Sequence, residues 1–158
     1  MAAADEIRWP ERFHPSRAPV HVRNEIDAAA APERLWATLI DARRWPEWYP
    51  NARNVRILTG ELTLASGAMF RWTTFGATIV SEVVEFSPHE RIAWTGRAPG
   101  IDVYHAWRIT PTPNGAHVLT EETQYGALAG LAAALMPRRM SKFHQIWLER
   151  LAAQASAR

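Results

Sequence analysis

The sequence contains no cysteine, and Lys142 is the only lysine among its 158 residues. The absence of cysteine excludes disulfides and thiolate metal sites and is typical of cytoplasmic proteins. The chain has 18 basic and 16 acidic residues, so its formal net charge is only +2. The chain has no long basic run and no recognisable nucleic-acid-binding module, so we expect no nucleic-acid partner.

Long hydrophobic runs are also missing. The longest, residues 127–136, is shorter than the roughly 18–20 residues that a membrane-spanning helix needs, so we expect no stable membrane insertion. The first 19 residues contain three prolines and many charges, and they lack the apolar core of a signal peptide. We therefore expect a cytoplasmic protein in which residues 1–19 form an extended lead-in and residues 20–156 form a single domain.

The motifs of several enzyme classes are absent from the sequence. There is no G-x-S-x-G elbow, no H-E-x-x-H pair, no Walker loop and no G-x-G-x-x-G. Five of the six histidines are scattered without the spacing of metal ligands, and we interpret them as surface or structural residues: His14, His21, His89, His117 and His144. The sequence thus predicts neither a metal nor a cofactor.

Hydrophobic periodicity predicts the order of the elements. Alternation from Val20 predicts a half-buried strand, and Pro32 suits the first position of a following helix. Residues 45–50, WPEWYP, combine three aromatic rings with two prolines, which limit them to about one helical turn. Six further strands, separated by glycine- and proline-containing turns, are predicted at 54–58, 68–75, 77–86, 91–97, 101–110 and 116–125.

A long helix is predicted over residues 127–155, with a kink or break at Pro137. The whole order predicts an α+β fold of the helix-grip type. In it a curved antiparallel sheet wraps around the long C-terminal helix, and two short helices follow the first strand. The WPEWYP segment is then expected to be a lid or plug over the open end of an apolar interior.

The sequence resembles the START-like (SRPBCC) superfamily, and more closely its polyketide cyclase/dehydrase and lipid-transport group. The resemblance rests on three stretches: EIDAAAAPERLWATLIDARRWPEWYPNARNVRIL, VVEFSPHERIAWTG and YHAWRITPTPNGAHVLTEETQYG. It covers residues 20–155, nearly the whole chain. It implies a deep, largely apolar cavity that takes a hydrophobic or amphipathic small molecule, and it does not imply a particular activity.

The last predicted hairpin carries the candidate site. Its first strand has a more apolar face that should point inward, and His105 belongs to that face together with Val103, Trp107 and Ile109. If Asn114-Gly115 forms a two-residue turn, His105 lies opposite Gln124 and Glu122 shares its inner face. A three- or five-residue loop would instead place Glu121 on the inner face and Glu122 on the outer face.

His105 and Glu122 could hold one proton between them near neutral pH, as general acid–base chemistry requires. In the enzyme hypothesis His105 is the base and Glu122 is the acid or an orienting partner. The alternative is purely structural: His105 binds a backbone carbonyl, and Glu122 pairs with an arginine such as Arg71 or Arg108.

Other side chains are candidates for the cavity wall, although each could equally be ordinary core. The candidate ligand-binding residues are Trp48, Tyr49, Trp72, Thr74, Trp94, Trp107, Thr120, Gln124, Met140 and Trp147.

Three hypotheses on function follow from these residues. In the first, an enzyme cyclises, dehydrates or hydrolyses a polyketide-like or aromatic substrate without a cofactor. In the second, a carrier or sensor uses the same cavity for a lipid-like or polyketide-like ligand. In the third, the tryptophans fill the interior and the protein only makes contacts through its surface. The partner expected in the first two is a hydrophobic or aromatic small molecule, and the protein is expected to be a monomer or homodimer.

The predicted C-terminal helix also carries a basic face formed by Arg138, Arg139 and Lys142. Three charges contribute too little to anchor a protein to a membrane by themselves, at about 1 kcal/mol each near an anionic leaflet. We therefore interpret this face as solvated helix surface.

Overall fold

The computed structural model describes residues 7–157, so the first six residues of the predicted lead-in lie outside the described part of the chain. Within these residues the architecture is one antiparallel sheet of seven strands with four α-helices and two short 3-10 helices. The strands are β1 Val20–Ala28, β2 Arg53–Ile57, β3 Met69–Thr74, β4 Ala77–Ser87, β5 Arg91–Ala98, β6 Ile101–Thr112 and β7 Gly115–Tyr125. The helices are α1 Pro32–Ile40, α2 Trp45–Trp48, α3 Ala127–Leu135 and α4 Arg139–Ser156.

The strands follow the spatial order β1-β7-β6-β5-β4-β3-β2. Strands β2 to β7 form the predicted meander, and β1 returns to pair with β7. The predicted fold class is confirmed, and the strand ends differ from the predicted ones by only one or two residues. Turn residues set most of these ends, which is why the sequence indicated them well.

The WPEWYP segment packs into the interior of the protein. Trp45 is fully buried, and its indole Nε1 donates a hydrogen bond of 2.9 Å to the carbonyl of Leu39 in α1. Tyr49 is also fully buried and stacks on Trp147 of α4, with 4.4 Å between ring centroids and 11° between planes. The segment is therefore a plug that is part of the core. Of the two expected roles, lid and plug, the burial of Trp45 and Tyr49 and their ring contacts fit the plug.

The C-terminal helix is broken where Pro137 predicts a break. Helix α3 ends at Leu135, and α4 begins at Arg139. Helix α4 lies across the sheet and buries Trp147, Leu148 and Leu151. None of the described helices is both long and apolar enough to cross a membrane.

The segment before β1 packs on the outer face of the sheet. It contains one 3-10 turn, Glu11–Phe13, and is not extended throughout. Phe13 is buried and stacks on Tyr104 of β6, and its carbonyl accepts a hydrogen bond of 2.9 Å from the Thr123 hydroxyl of β7. Strands β6 and β7 are consequently covered on both faces. The N-terminal segment therefore keeps water on the outer side of the sheet away from these two strands.

Candidate functional site

A largely apolar cavity of about 290 Å³ lies between the inner face of the sheet and helices α3 and α4. Its volume is at the lower end of the range typical for small-molecule sites. Eight of the predicted site residues line it: Trp72, Thr74, Trp94, His105, Glu122, Gln124, Met140 and Trp147.

Four predicted ligand-binding residues do not line the cavity, and this corrects the expectation for them. Trp48 and Tyr49 belong to the buried plug, and Trp107 is buried in the core behind His105. Thr120 is fully buried, and its hydroxyl contacts His105 and not the cavity. These four side chains support the wall of the cavity.

The opening of the cavity lies at the break between α3 and α4. Six residues of its lining are exposed: Ala132, Met136, Pro137 and Arg139 belong to this region, and Pro19 and His21 lie at the start of β1. Ligand entry is therefore expected beside the helix break and away from WPEWYP.

The β6–β7 hairpin turns one residue earlier than predicted. Thr112 pairs with Gly115, so the two-residue loop is Pro113-Asn114 and not Asn114-Gly115. This change moves the register by two residues and places His105 opposite Glu122, not Gln124. A shift by two leaves every side chain on its expected face, so Glu122 lies inside as predicted.

Glu121 lies on the outer face, where its two carboxylate oxygens contact His21 and Arg23 of β1 at 2.7 Å each. Adjacent glutamates of one strand therefore have separate surroundings. Glu122 lines the cavity, and Glu121 forms an ion pair with Arg23 on the opposite face of the sheet.

His144 is a site residue that the sequence interpretation missed. It projects from α4, is 1% exposed, and stacks on His105 with 4.8 Å between centroids and 12° between planes. A signal was present: His144 lies four residues after Met140 and three before Trp147, so it shares their face of the helix. Its interpretation as a scattered surface or structural residue overlooked that spacing.

Glu122 is the centre of a buried polar cluster at the wall of the cavity. Its Oε2 lies 2.9 Å from His105 Nδ1 and 3.3 Å from His144 Nε2. Its Oε1 accepts a hydrogen bond of 2.5 Å from the Gln124 side-chain amide. The structural alternative expected Glu122 to pair with Arg71 or Arg108, but its partners are His105, His144 and Gln124. They satisfy a buried carboxylate with donors that can be neutral, at a position where an unpaired charge would be costly.

The pKa values of the cluster are shifted in directions that favour one charge state. Burial is the largest influence on the pKa of His105 and, with His144, holds it below 6.5 although Glu122 acts to raise it. Burial alone would raise the pKa of Glu122, but the contacts with His105 and His144 outweigh burial and hold that pKa below 4.5. Both directions favour an ionised Glu122 carboxylate beside a neutral His105.

Thr120 gives His105 a hydrogen-bond partner in either protonation state. Its Oγ1 lies 2.8 Å from His105 Nε2 and 3.2 Å from the carbonyl of Ala106. When Nε2 is unprotonated, the hydroxyl can donate to it. When Nε2 carries a proton, the hydroxyl can accept that proton's hydrogen bond and donate its own to Ala106. The cluster can therefore gain a proton without leaving a buried group of His105 unsatisfied.

The cluster also offers three donor atoms to a metal, namely His105 Nδ1, Glu122 Oε2 and His144 Nε2, which lie within 4.8 Å of one another. A metal bound by a histidine lies close to the plane of its ring. The two rings are stacked and nearly parallel, so one metal could not lie in both planes unless a ring rotated. The expectation of no metal stays a prediction.

The pKa shifts predict that acid destabilises the protein. Because the folded-state pKa values of His105 and Glu122 are lowered, the unfolded chain binds protons more readily as the pH falls below 6.5, and again below 4.5. We expect the free energy of unfolding, measured with urea, to fall between pH 7 and pH 5. One such group gives a slope of at most about 1.4 kcal/mol per pH unit. His105→Asn should reduce this slope, and an unchanged slope would contradict the assignment.

The fold and the site together define a helix-grip protein with an internal apolar cavity and a buried polar cluster in its wall. The family model described as polyketide cyclase/dehydrase and lipid transport matches residues 19–156. The chain therefore belongs to this family, which confirms the resemblance to the START-like (SRPBCC) superfamily.

Solved structures support this classification. A hypothetical protein of Helicobacter pylori is 31% identical with a TM-score of 0.89, over 98% of this chain and 99% of that one. The Streptomyces aromatase/cyclase Zhui is 18% identical with a TM-score of 0.72, over 88% of this chain and 94% of that one. The di-domain aromatase/cyclase StfQ of the steffimycin biosynthetic pathway is 19% identical with a TM-score of 0.72, over 87% of this chain and 51% of that one. At these lower identities the likeness concerns the fold. Among curated proteins, none matches this sequence.

Proposed function

We propose that the protein binds a hydrophobic or aromatic ketone in its cavity and catalyses cyclisation or dehydration by proton transfer at Glu122. The observation that carries the proposal is the cluster of His105, Glu122 and His144 in the wall of an otherwise apolar cavity. Buried titratable groups with shifted pKa values in a cleft are typical of catalytic sites.

The roles expected from the sequence are exchanged in this proposal. Both nitrogens of His105 already have partners, Glu122 at 2.9 Å and Thr120 at 2.8 Å. Glu122 lines the cavity and is held ionised, so its carboxylate is free to accept a proton at neutral pH, although the lowered pKa also reduces its basicity. His105 and His144 orient the carboxylate and stabilise its charge. A ligand that displaces water from the cavity would strengthen this base by removing its remaining solvation.

The reaction can be written with all atoms balanced. Glu122 takes a proton from the carbon next to a carbonyl group, which leaves an enolate. The enolate carbon attacks a second carbonyl carbon of the same molecule, and Glu122 returns the proton to the new alkoxide. In a dehydration step Glu122 takes a further α-proton while hydroxide leaves, and the same proton converts that hydroxide to water. No external oxidant, reductant or cofactor is needed.

Two buried nitrogen atoms add to the case for a bound polar group. His144 Nδ1 and Trp147 Nε1 have no hydrogen-bond partner within the described residues, and both side chains line the cavity. A buried donor without a partner is costly. An oxygen of a bound ketone could accept a hydrogen bond from Trp147 Nε1 and so relieve that cost.

The proposal can be tested with 2-tetralone, a bicyclic aromatic ketone with exchangeable α-protons. In D₂O the protein should speed the exchange of these protons, followed by NMR, because the enol that Glu122 produces takes up deuterium when it reverts to the ketone. General-base catalysis of this kind contributes about 10²–10⁴-fold. Exchange no faster than in buffer with an equal concentration of imidazole would overturn the catalytic proposal.

A matched pair of variants tests whether the exchange takes place in the cavity. Ala133 lines the cavity, whereas its neighbour Ala134 is exposed and is not part of the lining. Ala133→Phe should fill much of the space and reduce the exchange at least tenfold, and Ala134→Phe should leave it unchanged. Equal rates in the two variants would place the reaction outside the cavity.

The carrier hypothesis uses the same cavity and gives a different result. A carrier would bind 2-tetralone, and Ala133→Phe would block the binding, but the α-proton exchange would stay at the buffer rate. Native mass spectrometry of protein purified from cells would then show whether a ligand accompanies it.

A further inference from the structure

Helix α3 is apolar at every position. Its sequence is ALAGLAAAL, and Ala129 is its only buried residue. Its leucines are unusually open to solvent: Leu128 is 51% exposed, Leu131 is 55% exposed and Leu135 is 70% exposed. They are spaced at i, i+3 and i+7, which places them on one side of the helix. A stripe of this kind on a protein surface marks an interaction site.

The opposite side of α3 faces the cavity. Ala129, Ala132 and Ala133 line the cavity, and Met136 lines its opening while being 44% exposed. The helix thus separates the apolar cavity from the outside and is apolar on both sides. A helix that is hydrophobic all round is typical of an apolar environment on both sides.

Basic residues continue the surface beyond the leucines. Arg138, Arg139 and Lys142 are exposed at the start of α4. The sequence contains no acidic residue between Glu122 and Glu149. We define the α3 face as the exposed residues of this surface: Leu128, Leu131, Leu135, Met136, Arg138, Arg139 and Lys142.

We propose that the α3 face docks on an anionic membrane surface and brings the cavity opening against the lipid. Exposed leucines beside several basic residues fit the acyl boundary and the charged head groups of such a surface. The sequence interpretation of the basic face as solvated helix considered the charges without the leucines. Together they provide the two attractions that peripheral binding requires. Docking adds to the proposed chemistry and does not depend on Glu122.

Charge favours a membrane over a second copy of the chain as the occupant. In a symmetric dimer the same patch of both copies is buried, so the basic residues of the two α3 faces would approach each other. Like charges would then oppose the contact between the leucines. An anionic membrane surface would instead attract the same basic residues.

Binding to sedimented vesicles tests the proposal. The wild-type protein should bind vesicles of phosphatidylcholine with 30% phosphatidylglycerol at low salt, and it should bind pure phosphatidylcholine vesicles far less. Neutralising one basic residue near such a surface costs about fivefold in binding. Arg138→Gln with Lys142→Gln should therefore weaken binding about 25-fold. The charge-matched control is Arg53→Gln with Arg56→Gln, two exposed arginines of β2, and it should have a smaller effect.

The apolar contribution has its own matched control. Leu131→Ser should weaken vesicle binding about tenfold or more, since burial of a leucine is lost. Leu62→Ser changes a leucine that is 71% exposed away from α3, and it should leave binding unchanged. All these positions are exposed, so circular dichroism should show unaltered folding. Equal binding to both kinds of vesicle, or equal loss in the two leucine variants, would overturn the proposal. So would self-association without vesicles that Leu131→Ser abolishes, because it would identify a second copy as the occupant.

Discussion

Glu122→Gln should reduce the catalysed α-proton exchange of 2-tetralone by about 10²-fold or more, which is the usual contribution of a general base. Glutamine keeps the shape of the side chain but cannot take up a proton under these conditions. His105→Ala should have a smaller effect, because this proposal gives His105 a positioning role. The rates should be measured at saturating and at low 2-tetralone concentration, so that loss of binding is separated from loss of turnover.

The neighbouring glutamate provides the control for this experiment. Glu121 is buried to the same extent as Glu122, at 6% exposure, but it pairs with His21 and Arg23 on the outer face. Glu121→Gln should leave the exchange rate per folded molecule unchanged. If the two variants lose the same activity, or if Glu122→Gln loses none, Glu122 is not the base.

Trp45→Ala should lower the free energy of unfolding by about 4 kcal/mol, as is usual when a large aromatic side chain is removed from a core. The Trp45 ring contacts four other aromatic rings with centroid distances of 5.1–5.9 Å, and its Nε1 binds the Leu39 carbonyl. The variant therefore leaves a cavity among rigid rings that cannot close around it. Urea unfolding followed by circular dichroism measures the change.

Trp9→Ala is the comparison for this variant. Trp9 is half-buried on the outer face of the sheet, where it contacts Tyr104. Its removal should cost less than half as much. A loss below about 1 kcal/mol for Trp45→Ala would contradict the plug and would favour the mobile lid that the sequence left open.

The fold was predictable from the sequence because local chemistry determines it. Glycine and proline turns separate the strands, Pro32 begins α1, and Pro137 separates α3 from α4. The register of the last hairpin was harder to predict, because Asn114-Gly115 is the stronger turn signal, yet the turn forms at Pro113-Asn114 with Gly115 at a φ of 143°. The side on which Glu122 lies was nevertheless correct, because either turn preserves the alternation of faces.

The site was only partly predictable, because its remaining parts depend on contacts between distant elements. His144 reaches Glu122 only when α4 lies across the sheet, although its spacing from Met140 and Trp147 was a usable signal. The buried state of Tyr49 and Thr120 depends on how tightly neighbouring side chains pack, which periodicity does not reveal. The position of the opening likewise depends on which helix residues remain exposed.

The measurement that tests the central claim most directly is an NMR titration of histidine-labelled protein with 2-tetralone. The cavity and its polar cluster predict that His105 and His144, the two lining histidines that contact Glu122, change their ring ¹⁵N shifts together and saturably. His14, His89 and His117, which lie outside the lining, should not respond. The ring shifts of the two cavity histidines should also stay unchanged in Ala133→Phe. Shifts confined to His14, His89 and His117, or no response of His105 and His144 while 2-tetralone binds, would contradict the account.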